Sequence, residues 1–215
     1  MIKDLLEKRS REELLDFLIQ YAEADAKFAN AVNVHFGNPE FEEELRKIKD
    51  MIDDALDGVT DYRMRDSWGN VNFYTGDIID EVNKRASQGH IRLAFAEIEL
   101  LFRKLTGLFE YQGECEIHDE TEYCINVMSD IADKAVASED KEHIFQKCIE
   151  LSYVEECKNY GGDFEDLLLG ISAKLVTPEN RIKLEQAITS FESGRQKEAL
   201  KQIRLDIIAR FDGRG

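Results

Sequence analysis

The amino-acid sequence predicts an all-α fold. The 215-residue chain has two prolines and 13 glycines, and 43% of its residues are hydrophobic and recur at three- and four-residue steps. So few turn-forming residues disfavour a β-sandwich or barrel. We expect one helical-repeat domain over residues 1–215. Its candidate sub-units are N-terminal hairpins (1–58), an aromatic connector (59–76) and a main array (77–215).

The N-terminal sequence predicts three helices. Ser10 and Glu13 have the spacing of a capping box, in which each side chain accepts the other's backbone N–H. A second helix is expected over 25–34, and Pro39 suits the first turn of a third. The third helix has an apolar stripe at steps of three and four: Phe41, Leu45, Ile48, Ile52 and Leu56.

The middle of the chain holds its most apolar segment. The connector precedes a helix of about 74–87, and Gly89 separates that helix from the next, over 90–110. The 90–110 stripe is Ile91, Ala94, Ile98, Leu101, Leu105 and Leu108, widened by Phe95, Phe102 and Phe109. A helix this apolar should lie in the centre of the fold.

The C-terminal half predicts further helices. Asp119 or Thr121 is expected to begin one and Ser138 to cap the next, followed by segments 163–175, 178–192 and 195–211. Thr177 before Pro178 matches an N-cap followed by an N1 proline. The total is about ten helices in antiparallel hairpins that recur every 35–50 residues or so, which favours an α-solenoid of the TPR or HEAT type. A globular bundle is the alternative.

Charge and hydropathy exclude several classes of protein. The net charge of −17 argues against nucleic acid as a partner, because phosphate contacts need a basic surface. No stretch approaches the ~20 apolar residues of a membrane span, and the charged N-terminus does not resemble a signal peptide. We expect a cytoplasmic protein that does not bind membranes. Its four cysteines should be reduced and should fill the core: Cys115, Cys124, Cys148 and Cys157.

The charge is unevenly distributed along the chain. Residues 110–142 contain 11 acidic and two basic residues, whereas 195–215 contain six basic and three acidic ones. The acidic segment is either a set of solvated helix faces or a docking surface for a basic partner protein.

Several segments resemble one family. The run from Trp68 to Tyr74, followed by Lys84–His90 and Ile91–Leu101, resembles the uncharacterised all-helical region that accompanies SWIM-type zinc fingers. Leu14–Tyr21, Phe28–Phe36, Gly161–Phe164 and Ala199–Ile208 are also similar to segments of that region. The finger's own Cys-x-Cys and Cys-x-His pairs do not occur in this chain. The resemblance implies a helical-repeat scaffold and supplies no catalytic residues.

Two metal sites are weakly indicated. Cys115, His118 and Cys124 could bind zinc with Cys148 or His143 as the fourth ligand, but structural zinc sites normally use two close ligand pairs and this chain offers one. We expect no metal cofactor. The pair His118-Asp119 could instead belong to a metal-dependent phosphohydrolase of the HD type, because imidazole and carboxylate ligands hold a metal that activates water. His90 and either Asp163 or Asp166 would complete that set.

Two segments are candidate protein-docking surfaces. Aromatic residues and arginines crowd the connector, where they either fill a gap between helices or bind a peptide: Tyr62, Arg63, Arg65, Trp68, Phe73 and Tyr74. The last helix is apolar on more than one side, so that Leu200 and Ile208, flanked by Arg204, could form an uncovered strip for docking or self-association. Alternatively, both pack against 178–192.

The sequence therefore predicts a non-enzymatic helical-repeat scaffold for protein–protein interaction, with no cofactor and a protein partner. The candidate partners include a second copy of the chain, which would form a homo-oligomer through the C-terminal helix. The HD-type phosphohydrolase around His90, His118 and Asp119 is the alternative.

Overall fold

The regular structure is entirely α-helical in the residues that the computed structural model describes: 9–24, 39–57, 75–108, 114–155, 164–192 and 198–213. These ranges contain α1 (Arg11–Ala24), α2 (Pro39–Ala55), α3 (Gly76–Ser87), α4 (Ile91–Thr106), α5 (Glu114–Lys134), α6 (Ser138–Ser152), α7 (Phe164–Leu175), α8 (Arg181–Glu192) and α9 (Glu198–Asp212). The all-α prediction is confirmed. The helix expected over 25–34 and most of the aromatic connector lie outside the described residues. None of the described helices is both long enough and apolar enough to cross a bilayer.

The chain divides into two compact units, Met1–Arg46 and Lys47–Gly215. In the first unit, α1 begins with the predicted capping box. The Glu13 backbone N–H donates to Ser10 Oγ at 3.1 Å, and the Ser10 N–H donates to Glu13 Oε2 at 2.9 Å. The Ser10 N–H also holds the pKa of the Glu13 carboxyl below its usual value.

Helix α4 forms the centre of the second unit, as its apolar sequence predicts. Ten of its 16 residues are buried, and it packs against α3, α5 and α6. Phe95, Ile98 and Phe102 contribute to a core cluster that also includes Ile48 and Ile52 of α2. The predicted stripe of α2 therefore reaches this core through Ile48 and Ile52.

The turn between α3 and α4 depends on glycine. Gly89 adopts φ +87°, and two backbone bonds close the turn: His90 N–H to Arg85 O at 3.0 Å and Gly89 N–H to Ala86 O at 3.1 Å. This is the Schellman arrangement, which requires a left-handed residue after the helix. Across the same turn, the Arg85 guanidinium donates to the fully buried Glu97 carboxylate and joins α3 to α4.

The later helices of the second unit pack mainly on those nearest in the chain. Helix α7 packs on α5 and α6, α8 packs on α7, and α9 packs on α7 and α8. A second core cluster joins α6 and α7 to this last pair, through Phe145, Leu169, Leu184 and Leu200 among others. Polar side chains also join helices, as in the Lys174–Asp133 pair between α7 and α5, at 3.0 Å.

Two predicted helix starts are wrong. Helix α5 begins at Glu114, so Thr121 lies inside the helix, where its hydroxyl donates to Ile117 O at 2.6 Å. Ser138 is the first residue of α6 and follows the N-cap Ala137, so it does not cap that helix as predicted.

Residues 178–180 form a turn before α8. There the Arg181 N–H donates to Thr177 O at 3.0 Å and the Thr177 N–H donates to Asn180 Oδ1 at 2.8 Å, which is the bonding expected of a cap at Thr177.

Candidate functional site

The last two helices form an antiparallel pair whose register is set by side-chain bonds. At one end, the Arg181 guanidinium donates to both carboxylate oxygens of Asp212, at 2.7 and 2.9 Å. Toward the other end, Arg204 Nη2 donates to the Thr189 hydroxyl at 2.8 Å. Between these contacts the residue numbers rise along α8 and fall along α9, so the two helices are antiparallel. We call the line of side-chain contacts from Arg181–Asp212 to Thr189–Arg204 the seam of the pair.

One face of α9 is sealed in the core. Leu200 and Ile207 are buried and belong to the same cluster as Leu184 and Ile188 of α8. The expectation that Leu200 belongs to an uncovered strip is therefore wrong, because α8 and its neighbours cover the face that Leu200 occupies. Arg204 is half-buried and is held at the seam by Thr189.

A second face of α9 remains in solvent. Leu205 is 58% exposed and Ile208 is 37% exposed, and these residues share a helix face with Lys201 and Asp212. Ile182 of α8, one position from the Arg181–Asp212 contact, is also exposed. We call Lys201, Leu205, Ile208 and Ile182 the C-terminal strip.

The opposite flank of α9 forms a groove with α7. It encloses about 250 Å³ and has an apolar floor that includes Ala173 of α7 and Ile203 of α9. Asp206, Arg210 and Lys174 provide its charges. Lys174 is already paired with Asp133, and the Arg210 guanidinium lies 5.3 Å from the centre of the Phe211 ring. The groove is thus close to neutral and its cations already have partners.

The acidic segment is partly used in contacts between helices. Arg92 of α4 pairs with Asp140 at 2.8 Å and with Glu139 at 3.4 Å, and Glu142 accepts from Asn180 at 2.7 Å. Together with the Asp133–Lys174 pair, these contacts join one helix to another. The acidic docking surface for a basic partner stays a prediction.

Helix α1 presents another apolar surface. The sequence predicts an apolar face on this helix, and in the structure its large side chains are exposed: Leu15, Phe17, Leu18, Ile19 and Tyr21. The Phe17 and Tyr21 rings stack with centroids 6.0 Å apart.

Three of the candidate metal ligands, His118, Cys124 and Cys148, pack against apolar side chains. The His118 ring packs against Phe164 with centroids 4.7 Å apart. Cys124 and Cys148 are free thiols in the core, and burial raises the pKa of each well above its usual value. Over the described ranges, no three His, Cys, Asp or Glu residues form a group that could hold a metal ion. His90, His118, Asp119 and Asp166 are therefore not brought together as such a group.

Several predicted residues lie outside the described part of the chain. They are the aromatic connector residues Tyr62, Arg63, Arg65, Trp68, Phe73 and Tyr74, the residues Asp163 and Cys157, and the side chain of Cys115. Their proposed roles stay predictions.

Sequence reasoning missed Ile182 and the groove. Ile182 falls outside the buried stripe of α8 that includes Leu184 and Ile188, which is the signal that could have identified it. The small residues Gly170 and Ala173 of α7 could similarly have indicated a cleft against the neighbouring helix. Comparison of the chain with family models, curated proteins and solved structures finds no match.

Proposed function

We propose that the chain is a non-enzymatic helical-repeat scaffold that binds a protein partner through the C-terminal strip. The observation that carries the proposal is the apolar face of α9, where Leu205 and Ile208 stay in solvent while Leu200 and Ile207 are buried. The resemblance to the helical region that accompanies SWIM-type zinc fingers agrees with such a role.

The packing pattern supports a repeat scaffold. In the second unit, helices contact those one or two positions away: α3 with α5, α4 with α6, α5 with α7 and α7 with α9. Repeat arrays have this pattern because each unit buries its apolar face against the next one. Leu205 and Ile208 on α9 are not buried in this way, so their face is available to a partner.

The composition of the strip suits a protein interface. Covering apolar surface is worth roughly 25 cal/mol per Å², so burying Leu205, Ile208 and Ile182 together favours association. Lys201 lies on the same face, and its pair with Glu198, at 3.3 Å between largely exposed side chains, is of a kind that contributes little and exchanges readily. Lys201 is therefore free to exchange Glu198 for an acidic group of a partner.

Capture from a native lysate tests this proposal. The wild-type chain, Leu205→Glu and the control Val136→Glu would each be immobilised, and bound proteins, including untagged copies of the chain itself, would be quantified by mass spectrometry. Val136 is 87% exposed and follows α5, so the control adds the same charge elsewhere. We expect at least one protein retained by wild type and control and lost by Leu205→Glu.

Identical sets on all three baits would overturn the proposal. A stoichiometric transition metal in the purified chain, with phosphohydrolase activity abolished by His118→Ala, would favour the enzymatic alternative instead.

A further inference from the structure

Helix α9 buries few side chains compared with the central helix of its unit. Two of its 15 residues, Leu200 and Ile207, are buried, whereas ten of the 16 residues of α4 are. Ile203 and Phe211 are half-buried and pack against the smaller core cluster. An element with few buried apolar side chains opens at a lower free energy than the core does. The last helix is therefore placed to open locally.

The contact between α9 and α7 is incompletely filled. The groove of about 250 Å³ opens between these helices beside Ile207, which is one of the two buried residues of α9. Gly170, which has no side chain, and Ala173, which has only a methyl group, line its α7 wall. A gap of this kind forfeits the packing contacts that a close-fitting neighbour would make. This flank therefore holds α9 less firmly than a fully packed interface would.

A polar contact holds the C-terminal end of α9 to the start of α8. The Arg181 guanidinium donates to both carboxylate oxygens of Asp212, at 2.7 and 2.9 Å. It also lies 5.6 Å from the centre of the Phe211 ring, and its Nε donates to Glu185 at 2.6 Å. A two-point bond between guanidinium and carboxylate is stronger and more directional than a single-point ion pair. We call the Arg181–Asp212 contact the latch.

Asp212 is unfavourably placed for α9 considered alone. It is the last residue of the helix, where the helix dipole disfavours a negative charge. Loss of its charge should therefore stabilise an isolated α9 slightly, whereas the packed α9 would lose its bond to α8. The sign of the effect of Asp212→Asn consequently distinguishes a latch from an ordinary residue at a helix end.

We propose that α9 is a lid that opens and closes over the apolar face of α7 and α8, and that the Arg181–Asp212 latch holds it closed. Opening uncovers Leu169 of α7 with Leu184 and Ile188 of α8, which belong to the smaller core cluster. The larger cluster contains no residue of α9, so α3 to α7 stay packed when the lid opens. The latch side chains are 22% and 46% exposed, and salt therefore weakens their contact.

Hydrogen exchange of the full-length chain, resolved by peptide with mass spectrometry, tests this proposal. In the wild type, the amides of α9 should exchange faster than those of α4, because they open without global unfolding. Asp212→Asn should speed the exchange of α9 at least about threefold and leave that of α4 unchanged. Arg181→Lys keeps the charge but loses the two-point bond, so it should speed the exchange of α9 as well.

Asp206→Asn is the matched control. It removes the same charge from the same helix, but the Asp206 carboxylate accepts from Gln202 of α9 rather than from α8. Its α9 exchange should stay near the wild-type rate. Circular dichroism would confirm that each variant keeps its helical content.

Salt provides a second readout of the latch. Raising the ionic strength from 0.1 to 1 M shortens the screening length from about 10 to about 3 Å. The exchange of α9 should accelerate in the wild type and respond less in Asp212→Asn, which has already lost the charge pair.

Four outcomes would overturn the proposal. The amides of α9 could be as well protected as those of α4 in the wild type, or their exchange could be unchanged or slower in Asp212→Asn. Asp212→Asn and Asp206→Asn could accelerate α9 equally. Finally, Asp212→Asn could accelerate α4 as much as α9, which would show that the last helix opens only with the whole unit.

Discussion

The fully buried phenyl ring of Phe102 lies in the main core on α4. Truncation to alanine removes buried surface and leaves a cavity that a close-packed core fills incompletely. Phe102→Ala should therefore lower the free energy of unfolding by about 3–5 kcal/mol. Urea denaturation followed by circular dichroism measures this change.

Tyr123 on α5 provides the control, because its ring is largely exposed. Tyr123→Ala should cost less than about 1 kcal/mol. Equal costs for the two substitutions would show that α4 is not the centre of the core.

His143 of α6 lies edge-on to Phe95, with ring centroids 6.4 Å apart. Burial lowers the pKa of His143 below its usual value, and the nearby charges of Arg92 and Lys147 lower it further. The unfolded chain therefore binds the His143 proton more readily than the folded chain does. The stability that this group contributes is present at neutral pH and is lost as the pH falls below the unfolded value.

The wild-type free energy of unfolding should accordingly fall more than that of His143→Gln between about pH 7.5 and about pH 5.5. Urea titrations of both proteins at the two pH values measure the difference. Parallel losses would contradict the assignment to His143, since the other three histidines are common to both chains.

The C-terminal strip shows which part of a candidate site can be identified from the sequence alone. The sequence shows that α9 is apolar on several sides, and Ile208 lies on a side that stays exposed. It does not show which side the neighbouring helices cover, because Leu200 and Ile208 are equally apolar. That outcome depends on where α7 and α8 pack against α9.

Gly89 determines how α3 joins α4. Its φ of +87° lies in the left-handed region, and an added Cβ would meet no atom within 4 Å. The cost of Gly89→Ala should thus come from the backbone, roughly 1–2 kcal/mol. Thermal and urea unfolding would measure it.

Gly76 is the matched control, because it also has open space around it and begins α3 without a positive φ. Gly76→Ala should leave stability unchanged or raise it slightly. The same loss in both variants would show that the turn does not depend on left-handed glycine.

Helix boundaries could be predicted where residues at the helix end itself determine them. Pro39 begins α2, Gly89 follows α3, and Ser10 with Glu13 starts α1 as expected. The start of α5 was missed because Thr121 resembles an N-cap, yet its hydroxyl bonds back to Ile117 within the helix. Propensity does not distinguish these two uses of a threonine.

At the scale of the whole molecule, the second unit contains two core clusters. The larger one holds side chains from α2 to α7, and the smaller one holds α8 and α9 against α6 and α7. In an array stabilised by neighbouring contacts, the loss of the last pair should leave the rest folded. A chain ending at Val176 should retain a cooperative urea transition, with lower stability and a smaller slope.

Such a chain would expose Phe145 and Leu169 of the smaller cluster, so binding of a hydrophobic dye should increase. Loss of the cooperative transition would instead favour a single bundle over an array.

Binding of a protein partner at the C-terminal strip is tested most directly by zero-length cross-linking. The ¹⁵N-labelled chain would be incubated with native lysate and treated with a carbodiimide, which joins amines to carboxylates in contact. We expect peptides that link Lys201 to a carboxylate of a second protein molecule in the wild type and in Val136→Glu, and their loss in Leu205→Glu. Links from Lys201 only to residues of its own chain, or equal linking in all three proteins, would contradict a partner-binding role for the strip.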